Sequence, residues 1–184
     1  MNVGAAYLEE AVRSLRGHKR LGEGALAQLT DRELFQMIDS QSNSAAIIIK
    51  HMSGNMRSRW TDFLTSDGEK PDRHRDQEFM VDEQMTREEL MALWERGWQY
   101  VFDTLQSLHP DDISQVVTIR GQEHTVLQAI NRALAHYAYH VGQIVFLAKH
   151  LKSSEWETLS VPRGKSEELN AEMQARKPKE FRHP

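Results

Sequence analysis

The chain of 184 residues has no cysteine at all. That excludes disulfides, thiolate metal sites and a cysteine nucleophile, and it fits a reducing cytosol. No apolar stretch approaches the roughly 20 residues that span a bilayer. The first ten residues have no basic start and turn acidic at Glu9 and Glu10, so they do not read as a signal peptide. Lysine and arginine are scattered, no basic run interleaves with aromatics, and the formal net charge is -4. Nucleic acid is therefore not an expected partner, and neither is a membrane. The P-loop, G-x-G-x-x-G, G-x-S-x-G and H-E-x-x-H are all missing. The last absence argues against a conventional zinc protease, because no acid stands between paired histidines to act as the base. A soluble cytoplasmic protein is the expectation that remains.

What is present is helical periodicity. A first long segment, 3–19, carries Leu8, Ala11, Val12 and Leu15 on one face, and Gly22 and Gly24 are expected to end it. Thr30-Asp31-Arg32-Glu33 is a capping-box pattern that opens a short helix. A second long segment, 44–64, places Ile48, Met52, Met56 and Phe63 in an apolar stripe, with His51, Asn55 and Arg59 spaced by fours beside it. A polar stretch, 65–84, reads as a long loop, uncommon in a compact domain unless it crosses over the fold or serves a site. A second capping box, Thr86 to Glu89, starts a third segment that Pro110 stops, with Leu90, Trp94, Trp98, Val101 and Leu105 facing inward.

Val116 to Arg120 is rich in β-formers and meets Gly121, which suggests a short hairpin. Thr125 to Gln128 is a third capping box, and a fourth segment follows to about Leu151. The expected fold is all-α: a four-helix bundle with a long crossover loop between its second and third helices. Residues 1–170 form that domain, and 171–184 are a polar, loosely ordered tail.

The chemistry concentrates in Ala135-His136-Tyr137-Ala138-Tyr139-His140-Val141-Gly142-Gln143. His136 and His140 are four apart and so lie one turn apart on one helical face, where two imidazoles can grip one metal ion. They sit on the flank of the apolar stripe, so they must point into a seam between helices. His51, from the polar seam of the second long segment, supplies a third imidazole. Three neutral imidazoles suit divalent zinc, nickel, iron or manganese. They leave coordination positions open, the pattern of a catalytic site. No carboxylate stands at a comparable position.

Gln143 shares the face of the paired histidines and can hydrogen-bond a ligating imidazole. It can equally be a solvated surface residue. Asn55 and Arg59 can line a pocket and bind a substrate anion, or Arg59 can simply pair with Asp62 or Asp103. His18, His74, His109, His124, His150 and His183 read as solvated or helix-end residues. Trp60, Trp94 and Trp98 read as packing residues.

A histidine in the second helix and a His-x-x-x-His pair with a following glutamine in the fourth resemble the DinB-like metal-binding four-helix-bundle proteins. His51, His136 and His140 match that triad residue by residue. The run from His51 to Lys70, HMSGNMRSRWTDFLTSDGEK, and the run PRGKSEE from Pro162 to Glu168 resemble a Bacillus-type branch of uncharacterised members. The resemblance covers 3–170. It implies a crossover bundle, a homodimer and a divalent metal at the triad. It also implies kinship with S-transferases and isomerases that use a low-molecular-weight thiol such as bacillithiol, mycothiol or glutathione. No segment matches a known thiol-cofactor pocket. Two functions therefore stand as expectations: a metal-dependent enzyme of the thiol S-transferase kind, or a non-catalytic stress or sensor protein in which any metal is structural.

Overall fold

The computed structural model describes residues 2–80 and 84–175. The protein is mostly helical, consistent with an all-α fold. Among the described residues are α1 (Val3–Leu26), α2 (Asp31–Phe35), α3 (Ala45–Trp60), α4 (Arg87–Ser107), α5 (Val126–Lys152) and α6 (Ser166–Ala175). A small hairpin of β1 (Val116–Ile119) and β2 (Gln122–Thr125) precedes α5.

The helix starts follow local chemistry. Thr30, Thr86 and Thr125 each accept from the backbone N–H three residues on. Glu33, Glu89 and Gln128 reach back to the corresponding cap N–H, so all three capping boxes form. Such a cap stabilises a helix by about 1 kcal/mol. The hairpin turns through Arg120 and Gly121, both at positive φ, which matches the twist of a two-residue hairpin.

Two helix ends depart from the sequence reading: α3 stops at Trp60, short of the expected residue 64. α1 does not stop at Gly22 and Gly24 but continues to Leu26. Gly22 is there because a neighbour sits where a side chain would be. A Cβ at this position would lie 2.8 Å from the Trp94 ring, and Gly24 meets Leu159 in the same way. The loss in helix propensity, about 1 kcal/mol, is offset by burying Trp94 completely. The expected tail boundary at residue 170 falls inside α6, none of whose residues is buried. Residues 176–184, His183 among them, lie outside the described residues.

Contacts fix the helix directions. Ser53 Oγ donates to Leu93 O, and Thr104 Oγ1 donates to Trp60 O, so residue numbers rise together and α3 and α4 run the same way. α1 runs against α4, since Gly22 meets Trp94 while Arg16 lies over Phe102. It runs with α5, since Tyr7 bonds Asn131 while Gly22 nears Val141. Two neighbouring parallel helices need a connection that returns the full length of one of them.

That connection retraces α3 backwards. Gly68 O accepts from Ser58 Oγ, Asp72 pairs with Arg57, Glu78 packs on Gly54 and His51, and Met80 O accepts from Lys50 Nζ. The polar character of this stretch thus has a partner at each turn of α3. The core behind it is one cluster, with Trp94, Trp98, Tyr137, Met52 and Met56 among its fully buried side chains.

Candidate metal centre

His51 lies mid-helix on α3, and His136 and His140 lie one turn apart on α5. The structure brings all three together: their ligand nitrogens lie within 4.8 Å of one another. His136 Nε2 stands 3.4 Å from His51 Nε2 and 3.1 Å from His140 Nε2. Bonds of about 2.0–2.1 Å to a common tetrahedral ion place two nitrogens about 3.3 Å apart, so the two measured spacings suit a shared ion. His51 and His140 are buried, and His136 is half-buried. The seam between α3 and α5 is where the flank position of the paired histidines requires them to point.

The outer nitrogens are held. His51 Nδ1 donates to Glu78 Oε2 at 2.8 Å, and His140 Nδ1 donates to Gln143 Oε1 at 2.8 Å. An ionised carboxylate only accepts, so the His51 proton sits on Nδ1 and its Nε2 turns a lone pair inward. The same holds for His140. His136 Nε2 lies near both lone pairs and carries at most one proton when neutral. At least one inward lone pair therefore has no donor, an arrangement that a cation resolves. Burial pushes the His136 imidazole down to about 3, and neighbouring His140, His51, Arg59 and Arg73 push the same way. Burial also lowers His140, against the bond to Gln143. Neutral imidazoles are the form that ligates.

Glu78 is the residue that the sequence reading missed. It is buried, and Arg73 grips it with Nε on Oε1 at 2.8 Å and Nη2 on Oε2 at 2.9 Å. Burial raises its pKa, but the bonds from His51 and Arg73 win and hold the carboxyl below its ordinary value. Gly54 makes room: a Cβ there would lie 2.2 Å from Glu78 Oε1. A glycine in the middle of an otherwise well-formed helix, one turn from a histidine, was the available signal.

Asn55 Oδ1 accepts from Tyr137 Oη at 3.2 Å, and Tyr137 Oη accepts from Trp60 Nε1 at 2.8 Å. Asn55 is thus tied into a buried network while lining a cavity beside the histidines. Arg59 pairs with neither Asp62 nor Asp103. Its Nη1 lies 3.0 Å from Glu69 Oε2, on the returning connection, and it also donates to Gly68 O. Asp103 instead accepts from Gln99. The cavity of about 200 Å³ is lined by His51 and His136 at one end and by Trp60, Phe63 and Ile119 as an apolar wall. None of the other described histidines joins a group of three ligands. His109 caps a 3₁₀ turn, and His150 stacks on Phe146. Trp60, Trp94 and Trp98 are core residues, as their spacing suggested.

Fold and site together define a mostly helical protein with three convergent imidazoles in a helix seam, backed by a carboxylate and an amide. No curated protein and no solved structure matches the chain. Residues 2–165 match the family described as "Protein of unknown function (DUF1572)", and the chain belongs to that family.

Proposed function

We propose that this protein is a divalent-metal-binding enzyme built on a DinB-like four-helix bundle, in which His51, His136 and His140 hold the metal and the neighbouring cavity holds a small-molecule substrate. The observation that carries the reading is the pair of outer hydrogen bonds, His51 to Glu78 and His140 to Gln143, which fix two imidazoles with their lone pairs turned on a common point. Any buried imidazole needs a partner on its outer nitrogen, but here those bonds leave an inward lone pair without a donor, which a cation answers. The parallel α3 and α4 with their returning connection support the crossover form of the bundle. A homodimer and a cytoplasmic setting belong to the same reading.

When bound, a divalent ion with open positions acidifies a water or a thiol and so supplies a nucleophile near neutral pH. The chain's own residues do the rest. Glu78 and Gln143 hold the imidazoles in their tautomers. The Trp60, Phe63 and Ile119 wall excludes water from one side of the cavity. Asn55 and Arg59 present polar groups from α3. We assign the reaction to the transfer of a low-molecular-weight thiol to an electrophile, the chemistry that the DinB-like resemblance implies.

The test is a conjugation assay. Metal-loaded protein is mixed with bacillithiol, glutathione or mycothiol and a panel of electrophiles, and thiol loss is followed beside the His140→Ala variant. Turnover that disappears in His140→Ala supports the enzyme. Metal-loaded protein without turnover, whose melting temperature collapses on chelation, supports a structural metal in a stress or sensor protein.

A further inference from the structure

Among the described residues, five arginines line the cavity beside the histidines and no carboxylate does. They come from four separate elements: Arg59 from α3, Arg73 and Arg75 from the returning connection, Arg120 from the hairpin turn and Arg132 from α5. The balance of charge is uneven. Arg59, Arg73 and Arg120 all converge on the single carboxylate of Glu69, at 3.0, 3.4 and 2.9 Å, and Arg73 also holds Glu78. Two carboxylates thus answer three guanidiniums, and one of the two already serves His51. Arg132 has no ion pair or hydrogen bond among the described residues. Arg75 lies over the Phe79 ring and has no acid partner there either.

Depth sorts these groups. The side chains of Arg59 and Arg73 are 11% and 3% exposed, while Arg120 is about half exposed. Arg75 and Arg132 line the cavity and are exposed. Two deep cations with an acid-poor rim make a funnel that draws in negative charge. A guanidinium fork matches a carboxylate or phosphate group in a way that an ammonium does not. The rest of the lining is largely aromatic and aliphatic: Trp60, Phe63, Ile119, Ala129 and Ala133. A ligand that satisfies both parts of the lining carries an anionic group and an apolar body.

We propose that the cavity beside the histidine cluster takes a small amphiphilic anion, a carboxylate or phosphate ester with an apolar body, whose acid group is held by Arg132 and Arg75. This rests on the functional reading above for the cavity's role but not for its charge. The apolar body lies along Phe63 and Ile119.

The experiment is isothermal titration calorimetry with phenylacetate, phenyl phosphate, 2-phenylethanol and benzylamine. It is run on wild type, on Arg132→Gln, on the Arg75→Gln/Arg132→Gln double variant and on His140→Ala. Circular dichroism on each variant verifies the fold, and both arginines are surface residues whose change leaves the core intact. The two anions are expected to bind wild type, the alcohol and amine at least about tenfold more weakly, and each lost guanidinium to weaken the anions by about tenfold. Raising the salt to 0.5 M should weaken the anions further. Whichever anion binds more tightly identifies the head group, and either order supports the proposal. Equal binding of alcohol and anions, or anion affinity unchanged in the double variant, overturns it. His140→Ala separates the two readings. If it keeps anion affinity but takes up no zinc, the cavity and the metal site both stand. Anion binding in a wild type that takes up no zinc removes the metal and leaves the cavity.

Discussion

His51 Nδ1 stands 2.8 Å from Glu78 Oε2, across 27 residues of chain. Helix α3 supplies the imidazole and the returning connection supplies the acid. The acid arrives because the connection must run back along α3 to let α4 start in the same direction. Glu78→Gln keeps the shape of the contact but removes the charge that holds the proton on Nδ1. Zinc affinity should fall by about 10- to 100-fold, with the helical content unchanged. Competition against a chromophoric chelator reads this directly. Undiminished affinity would show that Glu78 serves only Arg73.

Gly54→Ala sets two effects against each other. Replacing a mid-helix glycine gains about 1 kcal/mol of helix propensity. The new methyl, however, would sit 2.2 Å from Glu78 Oε1, inside any real contact. Overpacking of this kind costs about 1–3 kcal/mol. The net expectation is a destabilised protein with weakened metal binding, measured by urea unfolding and by the same chelator competition. A variant more stable than wild type, with full metal affinity, would contradict the tight packing.

Tyr137→Phe removes one oxygen that two partners use. Trp60 Nε1 loses its acceptor and Asn55 Oδ1 loses its donor, both in buried surroundings. Leaving buried polar groups unpaired costs about 1–3 kcal/mol, so the unfolding free energy from urea denaturation should drop by that much. The histidine cluster keeps its outer hydrogen bonds, so metal uptake should persist in the folded fraction.

Acid should loosen the hairpin. Burial raises Asp67 and Glu69, but the hydrogen bonds that each accepts outweigh it. Asp67 takes the backbone N–H groups of Gly121, Glu69 and Arg120, and Glu69 takes the Arg120 and Arg59 guanidiniums, so both carboxyls lie below their ordinary values. A depressed carboxyl contributes stability that is present above its unfolded pKa of about 4 and lost as pH falls through the lower folded value. Depressed His136 and His140 already lower stability as pH falls below about 6.5, and the two carboxyls should steepen the decline of the urea midpoint below about pH 4, where Asp67→Asn should show a shallower acid limb than wild type. An identical acid limb in the variant would place the acid sensitivity elsewhere.

Much of this was legible in the residues. The three Thr-initiated capping boxes, the hairpin at Gly121 and the long connection all carry local signals, and the structure places them where those signals fall. The histidine pair was legible because a four-residue spacing has a fixed geometric meaning on a helix. Glu78 was not, because an acid in a connection rich in acids has no spacing that singles it out. Its identity depends on the path of the chain. The length of α1 was also hidden, since Gly22 looks like a stop unless Trp94 is known to lie against it. Arg59 found Glu69 rather than Asp62 or Asp103 for the same reason: the partner sits on a segment whose course only the fold determines.

The central claim is that three imidazoles from α3 and α5 hold one divalent ion. Elemental analysis of untagged protein, purified without added metal and compared with His140→Ala prepared alongside, tests it most directly. Wild type should carry about one zinc, nickel, iron or manganese ion per chain, and the variant close to none while remaining helical. Equal metal content in the two proteins, or none in wild type even after incubation with each ion and desalting, would contradict it.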